Sequence, residues 1–314
     1  MPLIRVNSIG GSLRLHEQAR PPQPHLARAA QAGSGPIIVM VHGYKFRPYQ
    51  GLDCPHQHIF ALEDGPCWKA KSWPRGLGLG RGDPDEGLGL AFGWNSRGSI
   101  RNVYARAAEA GRDLARLIAV LRRAAPERPV HAICHSLGAR VVMQALMHLE
   151  PGDIGRIITL NAAEFVGAAE DALAMGAGPT AELIAVSGRE NAGFEMMLER
   201  VVRPDRVGDR AMGQRVPAGA RRIGLHLDRE EVVARIAALG FGLEAGQRRF
   251  CHWSPYLRAG ALPFYGALLR QPEAFPLDAL RVVTPPSAQE TARPWLPIGR
   301  FLMPLRGDRT ALGA

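Results

Sequence analysis

Short apolar runs alternate with amphipathic helical segments along this chain, and that alternation constrains its fold more than any other feature. Residues 37–41 (IIVMV) form an unbroken apolar run rich in β-branched side chains, and Val130 to Cys134 is a second strand candidate. A strand without a polar face is typical of a parallel sheet that is covered on both sides. The sequence therefore predicts an α/β fold with a mostly parallel central sheet and helices on both faces.

Other segments extend the same pattern and predict one domain over residues 1–314. Strand-like segments lie at 3–7, 12–16, 88–94, 157–160, 183–186 and 221–227, and helical periodicity at 102–124, 137–149, 166–175 and 229–239. Residues 20–35 read as a linker rich in Pro, Ala and Gln. Two long stretches lack periodicity, and loops of such length usually cover or line a site. We predict an irregular cap or lid insertion at 44–87 and a second loop insertion at 188–220.

Composition limits the class of protein. No apolar run approaches the roughly 20 residues of a membrane helix, no secretory leader is recognisable at the start, and four cysteines are too few for a disulfide framework. These features predict a cytoplasmic protein without a membrane span. The formal net charge is +10, but the arginines are scattered among Ala, Gly and Leu, whereas nucleic-acid binding needs a clustered basic face. We therefore expect no nucleic-acid partner.

The most informative segment runs from Val130 through His135-Ser136-Leu137-Gly138 into a helical pattern. A serine on a sharp strand-to-helix turn projects from the edge of the sheet, at the positive end of the helix that follows. The N–H of Leu137 can then face an oxyanion. Gly138 supplies one of the small residues that the close approach of strand and helix requires, and Cys134 stands where a second glycine is usual.

This segment resembles the nucleophile elbow, G-x-S-x-G, of the α/β-hydrolase superfamily, and is most similar to bacterial esterase- and lipase-like members with His-Ser-Leu-Gly. A second match follows residues 37–41, where His42-Gly43-Tyr44 corresponds to the family's oxyanion-hole loop. The resemblance implies an α/β-hydrolase fold, a nucleophile at Ser136, and an oxyanion hole formed by the N–H groups of Leu137 and Tyr44. His42, Gly43, His135 and Gly138 are expected to support it.

A serine hydroxyl needs a base, and the resemblance implies a histidine late in the chain. Only His226 and His252 lie beyond residue 148. His226 sits inside a strand-like segment. His252 stands in Phe250-Cys251-His252-Trp253-Ser254, just before a Pro-started helix, and this motif is similar to the C-terminal histidine motif of such hydrolases. We therefore assign the base to His252.

The acid that orients this histidine is expected after the strand at 182–187. Glu190 is the first choice. Asn191 could orient an imidazole without a charge, Glu195 could do so from the next helix, and Glu164 is the alternative one strand earlier.

These residues predict a serine hydrolase that cleaves a small-molecule carboxylic ester, with an apolar acyl part, through an acyl-enzyme and without a cofactor. The same residues could serve a thioesterase or an acyltransferase, and a hydrolase fold without catalysis that binds a ligand is the alternative from another class. A zinc site is conceivable at Cys54, His56, His58 and Cys67, but their spacing matches no closed ligand set and we predict no metal.

Overall fold

The computed structural model describes residues 3–284 apart from residues 19, 84, 214, 245 and 247, and the predicted domain end at residue 314 lies outside this part of the chain. Its strands are β1 (Leu3–Ile9), β2 (Ser12–Leu15), β3 (Ile37–Val41), β4 (Leu88–Trp94), β5 (Val130–His135), β6 (Arg156–Leu160), β7 (Glu182–Ser187) and β8 (Arg222–His226). Its helices are α1 (Gln23–Gln31), α2 (Trp73–Gly76), α3 (Ile100–Ala124), α4 (Gly138–Leu146), α5 (Val166–Ala174), α6 (Ala192–Val201), α7 (Glu230–Ala238), α8 (Ser254–Leu257), α9 (Ala261–Arg270) and α10 (Leu277–Val283). Short 3₁₀ turns cover Gly51–Asp53, Pro55–Gln57 and Arg189–Asn191.

The strands form one eight-stranded sheet in the order β2-β1-β4-β3-β5-β6-β7-β8. The β1–β2 pair is antiparallel, and the other neighbouring pairs are parallel. The predicted α/β fold class is confirmed: the sheet is mostly parallel and the architecture is consistent with an α/β-hydrolase-like fold.

The strand order reverses between β3 and β5, and this reversal opens a crevice. The chain leaves β3 for β4 on one side and then returns to β5 on the other side of β3. The loops that follow β3 and β5 therefore diverge at the carboxyl edge of the sheet, which is where open α/β sheets bind ligands. Residues 42–44 and Ser136 lie in these two loops.

Alternating side chains of each strand supply two hydrophobic cores, one on each face. In β3, Ile37, Val39 and Val41 belong to the core shared with α3 and α4. Ile38 and Met40 belong to the opposite core, shared with α9 and α10. Covering both faces explains why β3 contains no polar residue. No helix in the described part of the chain is long and apolar enough to span a bilayer.

The segment predicted as a cap, residues 44–87, connects β3 to β4 and contributes side chains to the core. Phe60 and Trp73 are completely buried, their ring centroids lie 5.9 Å apart, and Trp73 also packs edge-on against Tyr256 at 5.3 Å. Ser72 caps α2 by accepting a hydrogen bond from the N–H of Arg75. A large part of this connection is therefore a fixed layer on the sheet.

Two segments that the sequence predicts to be irregular contain helices. The predicted linker at 20–35 contains α1, because Leu26 and Ala30 are four residues apart and both bury their side chains. The predicted loop insertion at 188–220 contains a 3₁₀ turn and α6, anchored by the buried Leu198 and Val202. In both cases the burial of a short apolar stripe stabilises a helix, although the surrounding sequence is rich in Pro, Gly or Arg.

Candidate active site

Ser136 occupies the sharp turn between β5 and α4 with a backbone conformation that a non-glycine residue rarely adopts. Its φ is 55°, in the left-handed region, which costs an L-residue about 1–2 kcal/mol. Two hydrogen bonds hold it there: its N–H donates to the carbonyl of Leu160 at 3.0 Å, and its carbonyl accepts from the N–H of Ala163 at 3.0 Å. Strain that neighbours enforce in this way is typical of functional positions.

The turn requires glycine at two places because the loop after β3 lies directly against it. A Cβ at Gly43 would lie 2.6 Å from the Cβ of Ser136 and 2.8 Å from the carbonyl oxygen of His135. A Cβ at Gly138 would lie 2.6 Å from the carbonyl oxygen of Val41. Both glycines therefore permit a contact that no other residue allows.

Cys134 fits where a glycine is usual because its side chain faces the neighbouring strand. It is fully buried, and its Sγ donates to the carbonyl of Ile158, in β6, at 3.7 Å. Burial raises the pKa of this thiol, so Cys134 remains a neutral packing residue beside the turn.

His42 fixes the loop after β3. Its Nε2 accepts a hydrogen bond from the N–H of Trp94 at 3.0 Å, so in the neutral ring the proton is on Nδ1, 2.9 Å from the carbonyl oxygen of Gly43. Its own carbonyl accepts from the indole of Trp94 at 3.1 Å. Burial lowers the pKa of His42 to about 3. His42 is a neutral structural element that holds the predicted oxyanion loop.

The first predicted oxyanion donor, the N–H of Tyr44, is oriented through its own peptide group. The carbonyl of Gly43 accepts a hydrogen bond from the Ser96 hydroxyl at 2.7 Å. In a trans peptide the N–H points opposite to the carbonyl, so the N–H of Tyr44 is directed away from Ser96. Lys45 then adopts a φ of 75° and donates its N–H to the carbonyl of Ser96 at 3.0 Å, which closes the turn.

The second predicted donor, the N–H of Leu137, is oriented in the same way. The carbonyl of Ser136, in the same peptide group, accepts from the N–H groups of Ala139 and Ala163, each at 3.0 Å. The N–H of Leu137 therefore points opposite to these partners. Leu137 is the N-cap residue of α4, at the end of the helix where the dipole favours negative charge.

The backbone of His252 is hydrogen-bonded to the residues that end β5 and follow β6. Its carbonyl oxygen accepts two hydrogen bonds, from Nε2 of His135 at 2.9 Å and from Nδ2 of Asn161 at 2.9 Å. His135 immediately precedes Ser136, and the ring centroids of His135 and His252 lie 4.6 Å apart. Burial lowers the pKa of His135 to about 4. The structure thus brings His252 to the same edge of the sheet as Ser136.

Sequence reasoning missed Asn161. It is fully buried at the end of β6, and its φ of 45° is another left-handed conformation. Asn adopts this region more readily than most residues. The available signal was a polar residue that directly follows the apolar run of β6.

Asn191 holds the imidazole of His252. The Nδ1 of His252 lies 2.6 Å from Oδ1 of Asn191, while Nδ2 of Asn191 donates to the carboxylate of Glu195 at 2.9 Å. An ionised carboxylate only accepts hydrogen bonds, so the amide must present its NH₂ to Glu195 and its carbonyl to the imidazole. The Nδ1 of His252 therefore carries the proton, and Nε2 keeps its lone pair. Burial first, and then the nearby His135, lower the pKa of His252 well below its usual value.

Glu190, the predicted acid, does not contact the imidazole. Its carboxylate accepts from the hydroxyl of Ser254 at 2.5 Å and from Nη2 of Arg258 at 2.7 Å, and all three side chains are buried. Its carbonyl accepts from the N–H of Cys251 at 3.0 Å. Glu190 therefore anchors the segment that carries His252.

The 3₁₀ turn Arg189–Asn191 explains why Asn191, and not the predicted Glu190, contacts the imidazole of His252. Successive side chains of a 3₁₀ helix are separated by about a third of a turn. Glu190 and Asn191 consequently face different directions, the first towards Arg258 and the second towards His252. The sequence pattern contains no signal that separates these two registers.

Glu164, the alternative one strand earlier, belongs to a different cluster. It is fully buried and pairs with Nη1 of Arg140 at 2.9 Å. Its carboxylate also accepts from the hydroxyl of Tyr104 and from the N–H of Phe165 at 2.8 Å. Burial raises the pKa of Glu164. The cluster braces the N-terminal half of α4 and is separate from His252.

The residues considered as zinc ligands have different surroundings and different partners. Cys54 and His56 are buried, Cys67 is exposed, and Nε2 of His56 bonds to Oδ1 of Asn7 at 2.7 Å. His58 packs edge-on against Phe46, with their ring centroids 5.2 Å apart. The described residues contain no group of three or more His, Cys, Asp or Glu that could hold a metal ion.

Two comparisons with known proteins report similarities. Residues 96–188 match a family described as a protein of unknown function (DUF726); the match contains Ser136 but ends before Asn191 and His252. No curated protein matches the chain. Among solved structures, a Trichoderma reesei cutinase in complex with a C11Y4 phosphonate inhibitor is similar, with 12% identity and a TM-score of 0.23. That match covers 44% of this chain and 64% of the cutinase chain, so this chain spans less than two thirds of that protein's length.

Proposed function

We propose that this protein is a serine hydrolase that cleaves a carboxylic ester through an acyl-enzyme. Ser136 is the nucleophile, His252 the general base and acid, and the N–H groups of Tyr44 and Leu137 the oxyanion hole. Asn191 takes the orienting role that the sequence favours for Glu190.

The reaction follows from the tautomer of the imidazole. The Nε2 lone pair of His252 accepts the proton of the Ser136 hydroxyl as Oγ bonds to the acyl carbon. The oxyanion is stabilised by the two N–H groups, each typically worth a hundredfold or more in rate. The bond to the alcohol oxygen then breaks, and His252 returns the proton to that oxygen. Water attacks the acyl-enzyme by the reverse sequence and releases the acid.

One observation carries this proposal: a strained serine lies at the same edge of the sheet as an anchored histidine, directly after the residue that contacts this histidine. Ser136 has a φ of 55°, and the carbonyl of His252 is bonded to the residue directly before that serine. The hydrogen bond from Nδ1 to Asn191 leaves the basic nitrogen available.

The neutral amide has a chemical consequence. A carboxylate beside Nδ1 stabilises the imidazolium that forms during the reaction, and an amide supplies only a dipole. The amide therefore gives the imidazolium little stabilisation, in line with the lowered pKa of His252. Glu195 lies one residue farther out, where its carboxylate accepts from the amide of Asn191.

Hydrolysis of p-nitrophenyl esters of increasing acyl length tests the activity and the expected apolar acyl part. We expect release of p-nitrophenol by the wild type and a loss of at least a thousandfold in Ser136→Ala. Ser34→Ala is the matched control, because Ser34 precedes β3 at the opposite edge of the sheet and bonds to Asp85. Equal activity in Ser136→Ala and the wild type would refute the assignment.

A non-catalytic ligand-binding protein is the second candidate, and the neutral amide in place of a carboxylate on Nδ1 of His252 favours it. Binding of an ester by folded protein, with no turnover of any ester in the series, would support this role.

A further inference from the structure

A wall of aromatic side chains extends from His252 to the solvent. Phe194 stacks on the imidazole with ring centroids 4.6 Å apart, and Phe250 stacks on the outer face of Phe194 at 4.6 Å. Trp253 packs edge-on against Phe194 at 6.1 Å and against Trp68 at 5.9 Å. We call Trp68, Phe194, Phe250 and Trp253 the aromatic wall. It combines the segment after β3, the helix α6 and the segment that carries the histidine.

The outer part of the wall is open to solvent. Trp68 is 45% exposed and Phe250 is 57% exposed, and Met197, one turn along α6 from Phe194, is 45% exposed. Contiguous exposed apolar side chains at the mouth of a crevice indicate a surface that binds a partner or ligand. Here the exposed surface is continuous with the imidazole itself.

Two cations lie on the faces of the wall's tryptophans. The Nζ of Lys69 lies 3.5 Å from the ring centroid of Trp253, and the guanidinium carbon of Arg248 lies 4.0 Å from that of Trp68. Ring faces attract cations, but they do not neutralise them. Among the described residues neither cation pairs with a carboxylate, in contrast to Lys71, which pairs with Asp64 at 2.7 Å.

The cations at this position repel one another. The pKa of Lys69 is lowered, chiefly by burial, and the positive charges of Lys45 and Arg248 lower it further. The groups that oppose this effect are Cys67 and Cys251. An anionic group bound here would relieve the repulsion between the cations.

The mechanism identifies which part of a substrate meets this wall. His252 must return its proton to the departing alcohol oxygen, so the alcohol part of the ester lies on the imidazole's side of the site. The aromatic wall begins on the imidazole and leads outward to Lys69 and Arg248. On the basis of the proposed function, we propose that the alcohol part of the substrate carries a flat apolar group against the aromatic wall and an anionic substituent that pairs with Lys69 and Arg248.

A matched pair of acetate esters tests this specificity. Benzyl acetate and 4-(acetoxymethyl)benzoate share the acyl group and the aromatic ring and differ by one carboxylate. We expect the wild type, followed by pH-stat titration at low salt, to show about a tenfold higher kcat/KM for the anionic ester, as two partly exposed charge pairs would give. The preference should fall to about unity in Lys69→Met/Arg248→Met and at high salt. Lys71→Met, the matched control, should retain it.

Equal kcat/KM values for the two esters in the wild type, or an unchanged preference in the double variant, would overturn the proposal. A second readout is independent of turnover: quenching of tryptophan fluorescence by 4-(hydroxymethyl)benzoate, measured in Ser136→Ala. We expect saturable quenching that is weakened by the double substitution. Quenching without any ester hydrolysis by the wild type would support the site and refute the proposed hydrolase, whereas hydrolysis without the preference would do the opposite. Cosedimentation with phosphatidylglycerol vesicles that depends on the two cations, without any ester preference, would assign the wall to a membrane surface and overturn the proposal.

Discussion

Exchanging the amide and the carboxylate beside the imidazole, as Asn191→Asp with Glu195→Gln, moves one negative charge towards His252 without changing the net charge. The new carboxylate replaces the amide oxygen that lies 2.6 Å from Nδ1. The new amide at position 195 can donate to the new carboxylate at position 191, just as the Asn191 amide donates to Glu195 at 2.9 Å in the wild type. The exchange therefore preserves these two hydrogen bonds and moves the negative charge towards the base.

The size of the effect follows from the separation of the charges. A carboxylate about 4 Å from the imidazolium charge stabilises it by about 4 kcal/mol at an effective dielectric constant of 20, and the original carboxylate at roughly 8 Å by about 2 kcal/mol. The difference of about 2 kcal/mol corresponds to a rise of about 1.5 units in the pKa of His252. Because the neutral imidazole is the active form, the acid limb of kcat/KM should move by that amount to higher pH.

The assay is the pH dependence of kcat/KM for a p-nitrophenyl ester in the wild type and the exchanged variant. At pH values below both acid limbs, kcat/KM as a fraction of the plateau value should be about thirtyfold smaller in the variant than in the wild type. This factor is the rate equivalent of about 1.5 pKa units. Thermal unfolding of both proteins checks that the fold is retained. An acid limb at the same pH in both proteins would refute the pairing of Asn191 with His252, and so would a shift to lower pH.

Three further predictions concern the support of the site and the stability of the sheet. Gly43→Ala should abolish ester hydrolysis and lower the melting temperature, because the new Cβ would lie 2.6 Å from that of Ser136; unchanged activity would contradict the close approach. Arg258→Met leaves the buried carboxylate of Glu190 without its cation and should lower the free energy of unfolding by about 3–5 kcal/mol in urea titrations, against less than 1 kcal/mol if the pair is exposed. Burial lowers the pKa of His131 to about 4. As the pH falls, His131 therefore binds a proton in the unfolded chain before it does so in the folded protein. This histidine's contribution to stability should be complete above pH 6.5 and should fall by about 1.4 kcal/mol per pH unit from there to about pH 4, and His131→Gln should show a shallower loss in denaturant titrations over that range.

The fold could be predicted from the sequence wherever one periodic pattern covered a whole element. The unbroken apolar residues of β3 predict a buried parallel strand, and the structure places it near the middle of the sheet. α1 was missed because its apolar stripe is only Leu26 and Ala30, too short to stand out among prolines. α6 lies inside the stretch predicted as a loop insertion, because Leu198 and Val202 bury against Phe165, a contact between segments that periodicity within one segment does not report.

Local sequence motifs indicate some residues of the candidate site but not the contacts between them. Ser136 and His252 could be selected as candidates because each stands in a local motif at the exit of a recognisable element. The choice between Glu190 and Asn191 depends on how a three-residue turn rotates two adjacent side chains. The carboxylate of Glu190 pairs with Arg258, sixty-eight residues later in the chain. A local sequence pattern carries no information about such a distant contact.

Mapping the covalent product of a fluorophosphonate probe tests the central claim most directly. The native protein is labelled and digested, and the modified peptide is identified by mass spectrometry. The account predicts a single phosphonylated residue, Ser136, with labelling that disappears in Ser136→Ala and persists in Ser34→Ala. Labelling of a different serine, or no labelling of folded protein that remains native by thermal unfolding, would contradict it.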